Sequence, residues 1–232
     1  MRKCIALFLI LSLCLSLASA LADQTITVTG AGETLVTADT AVVSVGVNVR
    51  KPSAPEAQSG ANEVVAAIRA ALIAAGFNEE DISTGYINLY AVYDYTKDVE
   101  QITAYNASSS LAVKVTDMGR VGEAIDLAFG AGANTLDGVT FSVSDDTAAR
   151  AESLKSAVAN AKEKAAVLAE AAGLGELEIV TIQEGGVLSY DSGVNNFSRK
   201  TAGAETEEDA ATVVRAAKIC VSASVTVTFR VK

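Results

Sequence analysis

The stretch 134–173 most constrains what this chain can fold into. It reads as a strand, an acidic turn and a long helix. Val139, Phe141 and Val143 alternate with Thr140, Ser142 and Ser144, so one face of the strand is apolar and the other polar. Ser144, Asp145 and Asp146 follow. These residue types cap a helix N-terminus and suit its positive dipole end. Leu154, Val158, Ala161, Ala165, Leu168 and Ala172 then recur every three or four positions, which predicts an amphipathic helix. Gly173 ends it, where a left-handed residue is commonly needed. A helix so rich in small residues cannot stand alone. It must lie flat on a sheet, and the rest of the chain must supply that sheet.

Strands are plentiful. Ile26 and Val28 alternate with threonines, and then Gly30-Ala31-Gly32 interrupts, which reads as a bulge or tight turn. A dinucleotide loop would need a third glycine and a following helix. Ala38-Asp39 marks a turn. Val43, Val45, Val47 and Val49 alternate with polar residues or glycine, predicting a half-buried strand hairpinned with the first. Pro52, Ser53 and Pro55 start a helix whose stripe is Ala57, Ala61, Val64, Ile68 and Leu72, closed by Gly76. A long hairpin follows, with one strand over 82–95 and its partner over 102–115. Asp117 caps a short second helix with Val121, Ile125 and Ala128 inward. After Gly173 a short strand covers Leu177 and 179–182. Residues 184–216 show no sustained period, hold an acidic cluster (Glu205, Glu207, Glu208, Asp209) and read as a mobile excursion with a short helix near 210–216.

The last strand is the clearest. Ile219, Val221, Ala223, Val225, Val227, Phe229 and Val231 alternate with Lys218, Cys220, Ser222, Ser224, Thr226, Thr228 and Arg230. A slip of one residue would turn every apolar group to water, so its register is fixed, and its length suits a central position. The order is β-β-α-β-β-α-β-α-β-β. The expected fold is α+β: a largely antiparallel sheet with helices packed on one face.

The N-terminus carries its own signal. Arg2 and Lys3 precede an apolar run, Cys4 to Leu17, and then Ala18-Ser19-Ala20. That is the pattern of a cleaved export signal over residues 1–20. The run is shorter than the ~20 apolar residues of a spanning helix, although a retained anchor is the alternative. The domain expected after it covers 21–232. Loss of Arg2 and Lys3 makes the net charge of −10 more negative still, which argues against nucleic acid as a partner. Cys4 and Cys14 leave with the signal, so Cys220 stands alone and no intrachain disulfide forms. The chain has no histidine. That removes imidazole metal ligands and the Ser-His and Cys-His catalytic pairs together.

Several segments together resemble the SIMPL domain family: Gly30-Ala31-Gly32, Ala38-Asp39-Thr40-Ala41, Gly46-Val47, Asp81-Ile82-Ser83-Thr84, Tyr105-Asn106-Ala107-Ser108, the run from Gly130 through Phe141, the helix over 157–172 and the last strand. The resemblance spans essentially 21–232. It departs at Ala38, where family members usually carry proline, and at Ala217-Lys218, where they often have Pro-Gly. It implies an exported, periplasmic or cell-envelope-associated protein without an established catalytic residue. Some relatives are linked to oxidative-stress defence, and one assembles into a large ring-like or channel-like oligomer. A homo-oligomer and an envelope protein partner are therefore implied, with no transmembrane span after signal cleavage. A eukaryotic relative binds a signalling kinase, a role that does not suit an exported chain.

The residues themselves offer few candidates. Cys220 falls on the polar side of its strand, where a thiol could be oxidised or bridge two subunits; a small strand residue without a role is the plainer reading. Tyr86, Tyr90, Tyr93, Tyr95 and Tyr105 cluster on the long hairpin, with Tyr86 and Tyr90 on one face and Tyr93 and Tyr95 on the other. Tyrosine is a good strand former and is also enriched at interfaces. An assembly contact is their best functional reading. Asp145 and Asp146 lack the spacing of a calcium loop, and capping accounts for them, so no metal and no cofactor are expected. Asn106-Ala107-Ser108 and Asn196-Phe197-Ser198 match the glycosylation sequon, which matters only in a eukaryotic secretory path. The expected class is a non-enzymatic envelope protein. The alternatives are a redox-responsive protein using Cys220 and a carboxylate-based hydrolase, which needs two acids facing one cleft about 5 to 9.5 Å apart.

Overall fold

The computed structural model describes residues 24–94, 100–191, 212–216 and 218–232. The elements run β1 (Thr25–Thr37), β2 (Thr40–Lys51), α1 (Ala54–Ala74), β3 (Ile82–Asp94), β4 (Gln101–Val115), α2 (Val121–Gly130), β5 (Thr135–Ser142), α3 (Thr147–Ala171), β6 (Leu177–Asp191) and β7 (Lys218–Val231). This is the α+β order that the residue pattern predicts. The strands form two sheets rather than one, ordered β1-β7-β6 and β3-β4-β2-β5. They fall in two compact units, divided within β1 after Thr34 and within β7 after Cys220.

One unit holds the four-stranded sheet. Its strands pair antiparallel throughout, with Val43↔Val113 and Val45↔Leu111 between β2 and β4, and Ile82↔Val113 between β3 and β4. The connection β2-α1-β3-β4-α2-β5 with spatial order β3-β4-β2-β5 is the ferredoxin-like double split of β-α-β units. Ser53 caps α1 by accepting from the Glu56 amide at 3.4 Å, and Gly76 leaves the helix at φ 86°. Ile68 and Leu72 of α1 and Val121 and Ile125 of α2 meet Val43, Val45, Leu111 and Val113 in one core, all buried. Both helices therefore lie on one face, as the stripes predict. Asp117 accepts from the Gly119 amide and opens a short 3-10 turn before α2.

Arg120 ties the helix ends of this unit together. Its guanidinium pairs with Glu123 at 2.8 Å, donates to the Ala75 carbonyl at 2.8 Å and lies over the Phe77 ring. The mutual hydrogen bond raises the Arg120 pKa and lowers that of Glu123. At the start of β2, the Asp39 carboxylate accepts from the Ser144 hydroxyl at 2.7 Å and from its amide at 2.8 Å. Those bonds, the hydroxyl first, hold its pKa below the usual carboxylate range.

The other unit holds α3 on the three-stranded sheet. β7 is central there, and Val225, Val227 and Phe229 are buried against Ala157, Ala161 and Ala165. The helix face differs from the predicted stripe. The buried residues are Ala149, Ser153, Ala157, Ala161, Ala165 and Ala169, every fourth position, while Leu168 is 49% exposed. The reason lies in β1. Gly30 and Gly32 make no turn; β1 runs straight through them. A Cβ at Gly30 would collide with the Ala157 carbonyl oxygen, and one at Gly32 with that of Ser153. Helix and strand thus touch backbone to backbone, and only the smallest side chains fit between them.

Three further expectations are corrected. β1 and β2 do not hairpin together, because they belong to different sheets. The predicted excursion from 184 begins as strand, since β6 continues to Asp191. Residues 212–216 are not helical; Thr212 is instead tied to α2 by its amide and hydroxyl, both donating to Asp126. Residues 1–20, Tyr95, the acidic cluster at 205–209 and the sequon at Asn196 lie outside the described residues.

Candidate functional site

Each sheet has two edges, and the four are not alike. β1 is closed by its own helix: the Ala31 amide donates to Asn160 Oδ1 at 3.1 Å, and Lys164 Nζ donates to the Thr29 carbonyl at 2.9 Å. Two side chains one helical turn apart occupy polar groups that another strand would use. β5 is short, eight residues, and its pairing with β2 shifts register between Ser44 and Val45. β6 is long but carries Glu178 and Glu184 and is interrupted by Gly185-Gly186, the latter at φ 120°. Short edges, charges and bulges all discourage pairing with another chain.

β3 shares the bulging but neither the shortness nor the charge. It runs for 13 residues with β4 on one side, and carries no charge from Ile82 to Tyr93. Its register against β4 shifts between Thr84 and Ile87 and again between Val92 and Tyr93. The first shift is built by Gly85 and Ser110. A Cβ at Gly85 would stand 2.5 Å from Ser110 Oγ, and that hydroxyl accepts from the Tyr86 amide at 3.1 Å. Beyond the bulge, Tyr90 faces Asn106, whose side-chain amide donates to the Tyr90 hydroxyl at 2.6 Å. Asn106 is buried, so this bond satisfies a polar group that would otherwise be costly.

The predicted tyrosines divide as follows. Tyr86 and Tyr90 project on the face away from α1 and are 43% and 48% exposed; Tyr93 is 41% exposed. Tyr105 is half-buried beside Ala57, Ala61 and Ala107, so it belongs partly to the core. The sequence reading missed the aliphatic members of the patch. Ile87 and Leu89 share the face that carries α1 yet are 61% and 41% exposed, and Ile102 opposite Tyr93 is 49% exposed. The uncharged run was visible in the sequence; that it forms a sheet edge was not.

The remaining candidates are quieter. Cys220 is buried, 5% exposed, which withdraws its thiol from solvent oxidants. Asp146 accepts from the Ser189 hydroxyl at 2.7 Å. No Asp or Glu is buried among the described residues. A groove of about 700 Å³ at the C-terminal end of α3 is walled by Ala166, Ala169, Leu177 and Phe229, and its acids Glu170 and Glu176 are solvent-exposed. Glu176 is paired with Lys232 at 3.6 Å. Among the described residues no helix is long and apolar enough to cross a membrane.

Two curated relatives, the 26 kDa periplasmic immunogenic proteins of Brucella melitensis and Brucella abortus, are 34% identical to this chain over 164 residues. The match takes in 68% of this chain and 66% of each relative, so the chain spans about two thirds of the length of these relatives. The family model named SIMPL, described as a protein of unknown function (DUF541), matches residues 26–229. The chain therefore belongs to the SIMPL family.

Proposed function

We propose that this chain is an exported, non-enzymatic protein of the cell envelope that self-assembles and works through its surfaces. The observation that carries the reading is the uncharged edge strand β3 with its exposed tyrosine and aliphatic side chains. Monomeric soluble proteins rarely leave such an edge open. Export follows from the N-terminal pattern, and periplasmic residence is the location named for the two relatives. Exposed carboxylates and a buried, histidine-free thiol give catalysis little to work with. A contribution to oxidative-stress defence, also served by an envelope partner, would be indirect, through assembly rather than through Cys220.

Sedimentation velocity of the exported chain tests the reading. Assembly is expected at micromolar concentration. A monomer across the range up to 100 μM would contradict it. For the stress role, deletion of the gene should lower survival in peroxide, and Cys220→Ser should restore it as well as the wild type does; failure of Cys220→Ser alone would return the thiol to the centre of the account.

A further inference from the structure

We infer that β3 is the joint of the assembly: two copies pair antiparallel along the segment Ile87–Tyr93, joining their four-stranded sheets into one sheet of eight strands. This rests on the self-assembly proposed above and adds where and how the copies meet. The other three edges are closed by side-chain hydrogen bonds, by shortness and bulging, or by charge and glycine. Among the described edges β3 alone combines length with an uncharged run, Ile82 to Tyr93, which keeps charge out of the joint although the whole chain is at −10.

Geometry sets the limits. The Gly85 bulge ends regular pairing with β4 just before Ile87, and Asp94 ends the strand. The uncharged segment between that bulge and Asp94 is thus Ile87–Tyr93, with Tyr90 at its midpoint, and its register against β4 shifts once, between Val92 and Tyr93. A parallel partner would set the two Asp94 carboxylates side by side, which is unfavourable. An antiparallel partner centred on Tyr90 sets them at opposite ends, eight residues apart along the joint, or roughly 27 Å at the rise of a strand.

The area is of the right size. Five large side chains of β3 (Tyr86, Ile87, Leu89, Tyr90 and Tyr93) are 41–61% exposed. At about 200 Å² each when fully open, they offer roughly 470 Å², more than half of the ~800 Å² per partner of a stable interface, before backbone and polar atoms are added. Because the pairing is isologous, it uses up the edge and closes at two copies per sheet.

The test compares masses of three exported proteins at equal concentration: the wild type, Ile87→Lys/Leu89→Lys, and Val180→Lys/Ile182→Lys on β6. All four positions are exposed, and circular dichroism with a melting curve checks that each variant folds. The β3 variant should fall to half the wild-type mass or less with its spectrum kept, and the β6 variant should keep the wild-type mass. A monomeric wild type would overturn both the self-assembly reading and this inference. An assembled wild type whose mass survives the β3 change, or is lost only with the β6 change, would overturn this inference and leave self-assembly standing. Should the lysine pair unfold the chain, Val92→Thr/Leu89→Thr replaces it and must likewise lower the assembled fraction at least tenfold.

Discussion

The two units share a wiring and differ in how a helix meets its sheet. In one, β2 leads to α1, then β3 and β4, and the sheet reads β3-β4-β2; in the other, β1 leads across to α3, then β6 and β7, and the sheet reads β6-β7-β1. Both helices are left through a positive-φ glycine, Gly76 and Gly173. Both edge strands carry a glycine against a serine of the central strand: a Cβ at Gly85 or at Gly185 would lie 2.5 Å from Ser110 Oγ or Ser224 Oγ. The packing differs. Ile68 and Leu72 fill the space between α1 and its sheet, whereas alanines at every fourth position set α3 against the glycines of β1. One wiring is thus stabilised by volume in the first unit and by close backbone approach in the second, and each should fail in its own way.

The largest effect is expected where the approach is closest. Gly30→Val should destabilise the three-stranded unit by at least ~3 kcal/mol, because the added side chain meets helix backbone that cannot rotate away. A melting curve that stays within 2 °C of wild type would break the comparison. Leu72→Ala in the other unit should cost about 2–5 kcal/mol through a cavity, measured by denaturant midpoint. Substituting alanine for a residue of the α3 stripe is impossible in the same sense, since it is alanine already; only its serine offers such a test. Ser153 is fully buried and bridges the Val221 carbonyl at 2.7 Å and the Thr34 hydroxyl at 2.9 Å. Ser153→Ala should cost about 1–3 kcal/mol by leaving those groups unmet.

Smaller effects sharpen what the units share. Gly85→Ala and Gly185→Ala should each cost about 1 kcal/mol, and by similar amounts, since the obstacle in both is a serine hydroxyl that can turn. A large difference between them would show that the two glycines do unlike work. Asp39 supplies the pH dependence. Its folded-state pKa is lowered, so its contribution is present above the unfolded value and is lost as pH falls through the folded one, below about pH 4. Asp39→Asn should lower stability at neutral pH and flatten the acid limb of a pH–stability curve.

Legibility followed the range of the interactions. The alternation in β7 and the stripes of α1 and α2 are local patterns, and their register and buried faces could be read directly. The first-strand hairpin could not. Nothing near Ala38-Asp39 distinguishes a tight turn from a crossing between sheets, because Asp39 takes its partner from Ser144, more than a hundred residues away. The glycines at 30 and 32 look like a bulge until α3 is placed beside them. Leu168 looks like a core residue until the alanines prove to be the closer fit. For the candidate site, the tyrosines and the lack of charge were legible in the hairpin itself. The edge position was not, since it depends on which strand β4 accepts on its other side.

The account turns on β3 being the edge where this protein meets its own copies, and amide hydrogen exchange reads that edge directly. In the assembled protein, the amides of Ile87–Tyr93 that point away from β4 should exchange at least tenfold more slowly than the amides of Ile179–Leu188 that point away from β7, and this added protection should vanish in Ile87→Lys/Leu89→Lys. Equal, rapid exchange of the two strands in the assembled protein would contradict it.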